Sequence, residues 1–586
     1  SSNSNKTLND FHIRGTALGG WLVIEPWLTP SLFYQFLGVS RRWGDSAKDH
    51  VGIDSRTFCT ALGSKEANRQ LRNHWKTWVT EEKIQQLAES GVDHLRIPVA
   101  DWMFTPYEPF IGCWDGAIDE LDRVLELCRK YSIKVLIDLH ALRKSQNGLD
   151  NSGDTGHYEW IGNFSSSGAA VYQHWLLRGG DWAGAYDVQN GTYRTINSEG
   201  INNSLRVVDA IVDRYKDHPV VMGVEPINEP SDHIPIEILK EYYWRTYQIV
   251  QLKAPHWLTL LPDSFRLTPE IFGNFLRNCD NFALDTHIYQ AWAWENPPEW
   301  FQQHACMDKD NLMLMESIGV PIIVGEWSLA TDNCAMWLNG FNDNVPGYPK
   351  VSCERIQCPA PYMGEGVQPG APPDPTLPAQ DPFGAGGPSL VEYGTCPRDR
   401  AFPNEVEDVR KLSYAKLHAF DYQTHGQFFW NFRTEFEPRW DFLKAVELGW
   451  IPKHWDEAGT RKEIQHACDA FPPIPAPVTV PVTAPTPALV PTVTTTPMTT
   501  NSTMSILLSH TDDIAGKLGT EKEMSTLVRN LYAALITVGI WLVVLALLLG
   551  VAAGAVAGMQ LLWPGWGIRA TEYSPIPDKD SYPVNL

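Results

Sequence analysis

The chain has 586 residues, enough for one large barrel with appendages. Its formal charge of −22 argues against nucleic acid as a partner, because phosphates call for basic patches. Ten cysteines include no Cys-x-x-Cys pair, so neither a metal site nor a cofactor is expected from their spacing. Sequons at Asn5, Asn163, Asn190, Asn202 and Asn501 join the cysteines in favouring an oxidising, extracellular setting. Twenty-four tryptophans suit a large core or the apolar faces of sugar rings, and composition leaves both open.

After an N-terminal segment at 1–10, residues 11–470 alternate short β-rich apolar runs with helical stretches. The runs are GTALGGWLVIEPW, VDHLRIPV, KVLIDLH, VVMGVEPINEP, HWLTLLPDS, FALDTHIYQ, PIIVGEW and HGQFFWNF. Between them, AIDELDRVLELCRKY sets Ile118, Leu121, Val124, Leu125 and Cys128 on one helical face. EEKIQQLAESG does the same with Ile84, Leu87 and Ala88, and stops at Gly91. Near-continuous apolar strands separated by helices predict a parallel sheet, and eight of them predict an α/β fold of the (β/α)8 TIM-barrel type. An open doubly wound sheet is the alternative, weakened by the lack of a Gly-rich phosphate loop after the first run.

A Pro/Gly-rich insertion at 341–400 holds Cys353, Cys358 and Cys396 and reads as a surface loop tied by disulfides of open pairing. The composition then changes. A Pro/Thr-rich stretch free of Asp, Glu, Lys and Arg predicts a disordered stalk at 471–510. A juxtamembrane segment follows at 511–530. Residues 531–563 carry no charge, which predicts one transmembrane helix before a short tail at 564–586. Lys517, Lys522 and Arg529 lean against an outside N-terminal domain. The sequons, cysteines and stalk favour a cell-surface, single-pass protein whose monomeric catalytic domain is extracellular.

Several polar residues fall at predicted strand ends: Arg96, His140, Asn228 with Glu229, His287 with Tyr289, Glu326, and Trp430. In a parallel barrel these ends share one mouth. His140 or His287 alone also reads as a core histidine, and Glu326 alone is equally an ion-pair partner. Two glutamates ending strands four and seven suit glycoside hydrolysis, one as nucleophile and the other as acid/base. On this reading the charge on Glu326 raises the pKa of Glu229. Arg96 would hold Glu326 ionised, Asn228 would bond a sugar hydroxyl, and Glu225, four residues before Glu229, would make a structural pairing.

RGTALGGWLVIEPWLTPSLF, LRIPV, DLH, SQNGLDNSG, NEP, HIYQ, GEWS and CAMWLNG occur in the order that resembles glycoside hydrolase family 5, in particular its fungal cell-wall exo-β-1,3-glucanases. The resemblance implies Glu229 as acid/base and Glu326 as nucleophile, with Arg96, Asn228, His287 and Tyr289 in support. Substrate contacts would be Glu25, His140, Asp150, Asn151, Trp292 and Trp430, in a pocket releasing one glucose at a time from β-glucan. The chain departs from the pattern at Arg143 and Lys144, and at Leu149, where an aromatic is usual. Trp292 thus keeps one side of a sugar clamp, leaving other β-linkages, a glycolipid glucoside and transglycosylation open. An inactive glucan-binding or adhesion protein is the reading from another class.

Overall fold

The structure is a computed structural model. It describes residues 12–36, 46, 49–161, 171–174, 178–293, 296–332, 335, 337–338, 402–455 and 457–471, with strand residues at 380–381 and 384–385. The expected stalk, juxtamembrane segment, transmembrane helix, tail and most of the 341–400 insertion lie outside the described residues. Among the described residues no helix is long and apolar enough to cross a membrane.

Eight parallel strands close into a barrel in chain order: β1 (Ile13–Ala17), β2 (His94–Ala100), β3 (Lys134–Ala141), β4 (Val221–Glu225), β5 (Leu258–Pro262), β6 (Phe282–Ile288), β7 (Ile322–Trp327) and β8 (Gly426–Phe429). Closure rules out the open doubly wound sheet. Each predicted run overlaps its strand, and β1 begins two residues before its run.

The helices between strands bury the faces that periodicity marks. Helix α1 (Glu81–Glu89) buries Ile84 and Leu87 and is followed by Gly91 at φ +81°, a conformation a side chain would disfavour. Helix α2 (Ala117–Lys130) buries Leu121, Val124, Leu125 and Cys128. Asp119 and Glu120 sit in its first turn and Arg129 and Lys130 in its last, complementing the helix dipole. Disulfides join Cys59 to Cys113 and Cys306 to Cys468, and among the described residues Cys128 and Cys279 are free.

Two apolar clusters form the core. The larger packs strands against helices. The smaller takes Ile13, Leu136, Met222, Leu258, Leu260, Ala283, Ile323 and Phe428 from seven of the eight strands. Side chains two apart on a strand share a face. Leu136 is therefore continued upward by Asp138, and Ala283 by Asp285 and His287. The barrel interior passes from apolar packing to a charged mouth within two residues.

Two departures from the expected strands matter for the site. Strand β4 stops at Glu225, so Asn228 and Glu229 lie in the loop beyond it. Pro226 and Pro230, which cannot donate to a ladder, bracket that loop. Glu229 itself has φ +42°. In β7, Thr286 pairs with Val324 and His287 with Glu326, which leaves Gly325 as an extra residue.

Candidate active site

Glu326 and His287 are register partners on β7 and β6, and Glu229 reaches them from the loop after β4. A carboxylate oxygen of Glu229, one of Glu326 and a ring nitrogen of His287 all lie within 4.8 Å of one another. Both oxygens of Glu326 are held. Arg96 Nη1 donates to Oε1 at 2.6 Å, and the Tyr289 hydroxyl donates to Oε2 at 2.7 Å. Glu229 is held differently. His287 Nδ1 lies 2.7 Å from its Oε1, and Asn151 Nδ2 donates to its Oε2 at 2.7 Å.

Arg96 has no exposed surface. Its guanidinium also donates to Glu225 at 2.7 and 2.8 Å and to Asn228 Oδ1 at 2.7 Å, and lies 3.1 Å from Asp138. A buried cation needs such partners, because desolvation otherwise outweighs the attraction to any one of them. Glu225 thus makes the structural pairing expected of it.

The titration of the pair reverses the expectation from sequence. Burial pushes the Glu229 carboxyl up, but the hydrogen bond and charge of His287, with His140 and Asn151, outweigh it and hold Glu229 below the usual value. Glu326 sits above the usual value, chiefly through burial, with His287 and Arg96 opposing and the Glu229 charge adding. Burial would lower His287, yet the charges of Glu326 and Asp285 and its hydrogen bonds raise it well above an ordinary histidine. The reason is an imidazole ring lodged between the carboxylates, which no sequence spacing reveals. Glu225, Asp285 and His287 form a second trio of ligand-type atoms within 4.8 Å. Arg96 and the His287 ring already engage both trios, so they read as a network of shared protons and charge.

The remaining expected residues line the same mouth. His140 is the extra residue of a bulge between Leu139 and Ala141 opposite β2. Its ring bonds Asp138 at 2.6 Å and stacks on Trp430 at 5.5 Å between centroids. Glu25 accepts from Trp27 Nε1 at 3.0 Å, and burial with the nearby Asp150 charge raises it well above its ordinary value. Burial pushes Asp150 up to about 7. Trp292, 38% exposed, meets Tyr289 edge to face. Leu149 is half-buried, and Arg143 lays its guanidinium 3.7 Å over the Tyr107 ring.

Sequence reasoning missed Asp138, Asp285 and Gln146. The amide of Gln146 donates to the backbone oxygens of His140 and Asn228, tying the two loops together. A signal for the two aspartates was present. DLH and DTH both place an aspartate two residues before a mouth histidine on a strand, hence on the same face.

A model of the family described as Cellulase (glycosyl hydrolase family 5) matches residues 59–344. A glucan 1,3-beta-glucosidase of Blumeria graminis is 30% identical over 464 residues, covering 76% of this chain and 88% of that protein. The chain belongs to glycoside hydrolase family 5. Other relatives of this hydrolase are a probable glucan 1,3-beta-glucosidase A of Emericella nidulans, 30% identical over 78% of this chain and 93% of that one, and glucan 1,3-beta-glucosidase 2 of Candida albicans, 28% identical over 78% and 87%. Among solved structures, a rutinosidase from Aspergillus niger superposes with TM-score 0.51 at 17% identity, over 76% of this chain and all of that one. That likeness concerns the hydrolase fold alone.

Proposed function

We propose that this glycoside hydrolase is a retaining exo-β-1,3-glucanase, which removes glucose from the nonreducing end of β-1,3-glucan by double displacement. The observation that carries the reading is the pair of carboxylates whose oxygens approach within 4.8 Å, one fixed by Arg96 and Tyr289 and the other by His287 and Asn151. That spacing suits direct attack, since an inverting pair stands roughly 6.5–9.5 Å apart to admit a water. Glu326 attacks the anomeric carbon while Glu229 protonates the departing oxygen. The ester that forms has no charge, and Glu229 then takes a proton from the water that releases glucose. Tyr289 and Arg96 take up the charge of Glu326 when it leaves the ester. Glu25, Asp150 and Asn151 offer donors and acceptors to sugar hydroxyls, and Trp430 and Trp292 offer faces. The choice of β-1,3-glucan rests on the names of the relatives.

The same reading places the enzyme at the cell surface, as a monomeric catalytic domain anchored through 531–563 and acting in cell-wall glucan remodelling. It is supported by the sequons, the disulfides and the apolar run.

Proton NMR of the products from laminari-oligosaccharides tests the chemistry. The first-formed sugar should be β-glucose, and Glu326→Ala should lower kcat by at least ~10³-fold. First-formed α-glucose would mean inversion and would exclude Glu326 as nucleophile.

A further inference from the structure

We infer that Asp285 is a positioning residue for this reaction: acting through His287, it keeps the proton that Glu229 delivers available at neutral pH and above. The inference rests on the acid/base reading of Glu229. Asp285 Oδ2 lies 2.9 Å from His287 Nε2, and His287 Nδ1 lies 2.7 Å from Glu229 Oε1. The three form one line from the barrel interior to the mouth. Asp285 is 1% exposed, and the side chains of His287 and Glu229 are 4% and 12% exposed. Asp285 sits one strand repeat below His287 and acts on the sugar only through the ring. Both ring nitrogens face carboxylate oxygens, so the ring donates from both when it carries two protons.

The surroundings favour that doubly protonated form. Facing Asp285 and His287 are Arg96 from β2, Glu225 from β4, Asp263 just beyond β5 and Glu326 from β7, with Asp138 of β3 joined to them through Arg96. Asp263 is linked through the Thr286 hydroxyl at 2.8 Å, and Asp263, Asp285, His287 and Glu229 line one cavity of about 10 Å³. Against these carboxylates Arg96 supplies a permanent cation. A proton on His287 therefore gains from several negative charges at once, and the directed hydrogen bond to Asp285 fixes which way the ring points.

Glu229 and His287 together hold one transferable proton. In the first step the bond from the anomeric carbon to the leaving oxygen breaks and the bond to Glu326 forms. Glu229 gives its proton to the leaving oxygen, and where the proton starts on His287 it passes through Glu229. In the second step the attacking water returns a proton to Glu229, so the pair ends as it began. The first step fails once the pair loses its proton to solvent, and the negative charge of Asp285 sets how high a pH that takes.

The test is the pH dependence of kcat/KM for the full chain and for Asp285→Asn, on two substrates. Laminaribiose leaves only with a proton, whereas a dinitrophenyl β-glucoside leaves without one. For laminaribiose, the alkaline limb of the variant should move down by about one pH unit, with a loss of about tenfold above it. The dinitrophenyl substrate should lose far less. A uniform loss on both substrates with an unmoved limb would overturn the inference. Glu229→Ala separates the two readings. If it loses both substrates alike, the acid/base reading fails and the inference with it. If it spares the dinitrophenyl substrate but Asp285→Asn does not, the inference alone falls. Nitrogen-15 NMR of wild-type protein with labelled histidine needs no variant to fold. Both His287 ring nitrogens should carry protons at pH 7, and a neutral ring there would overturn the proposal.

Discussion

Arg96 shows how much one side chain organises. It is fully buried and bonds Glu225, Asn228 and Glu326 while lying against Asp138. Its truncation leaves several carboxylates without their cation, and breaking such a pair typically costs about 3–5 kcal/mol. Urea unfolding of Arg96→Ala should therefore show a loss of that order, besides the loss of hydrolysis. Arg96→Lys should recover part of the stability and little of the activity, because one ammonium cannot reproduce the fork that holds Glu225. Arg96 was legible in LRIPV, Glu229 in NEP and Glu326 in GEW. The titration of the glutamates was not. It depends on His287, which arrives from another strand and reverses the ordering expected for two carboxylates alone.

At the scale of the element, the bulge in β7 decides whether the site exists. Without Gly325 as an extra residue, the strict alternation of a strand would turn Glu326 away from His287. The position admits only hydrogen, since a Cβ there would stand 1.9 Å from Asp285 Oδ1. Gly325→Ala must displace Asp285 or the strand, and a small misplacement at a reacting centre costs on the order of 10²-fold in rate. Its kcat/KM on laminaribiose should fall by about that factor, while calorimetry shows a destabilisation nearer the ~1–3 kcal/mol of ordinary overpacking. An unchanged rate would mean that the bulge does not position the pair. GEW was visible as a strand end, but the bulge was not, because it arises from pairing with β6. The same limit applies to β4. Counting back from Glu229 placed Glu225 correctly as a structural partner. The strand nevertheless ends at Glu225, so alternation does not carry through to Glu229.

Across the whole molecule, burial raises several carboxyls: Asp101, Asp150 and Glu435 to about 7, and Asp263 and Asp441 to about 6. In the unfolded chain each titrates near ~4, so between about pH 4 and 7 the folded state keeps protons that the unfolded state releases. Their contribution to stability is present at the acidic end of that window and is lost as pH rises through it. His74, held neutral by burial with its pKa down at about 4, acts the other way below the ordinary histidine value. Among the described residues these carboxyls, with Asp308 also raised to about 7, outnumber the lowered histidines His74, His304 and His418, which predicts a higher thermal midpoint at pH 5 than at pH 7.5. Scanning calorimetry that finds the reverse would show that these carboxyls are hydrated in the folded protein. The sequence by itself determined the eight strands, the helical faces and the two glutamates. Periodicity and residue type are local quantities, and burial follows from them directly. Only the tertiary structure decided which groups share protons and charge, because Arg96, Glu229, Glu326 and the Asp285–His287 pair come from separate strands and loops. Barrel closure and one glycine bulge bring them within hydrogen-bond range, and electrostatic energy depends on distances that chain order does not contain.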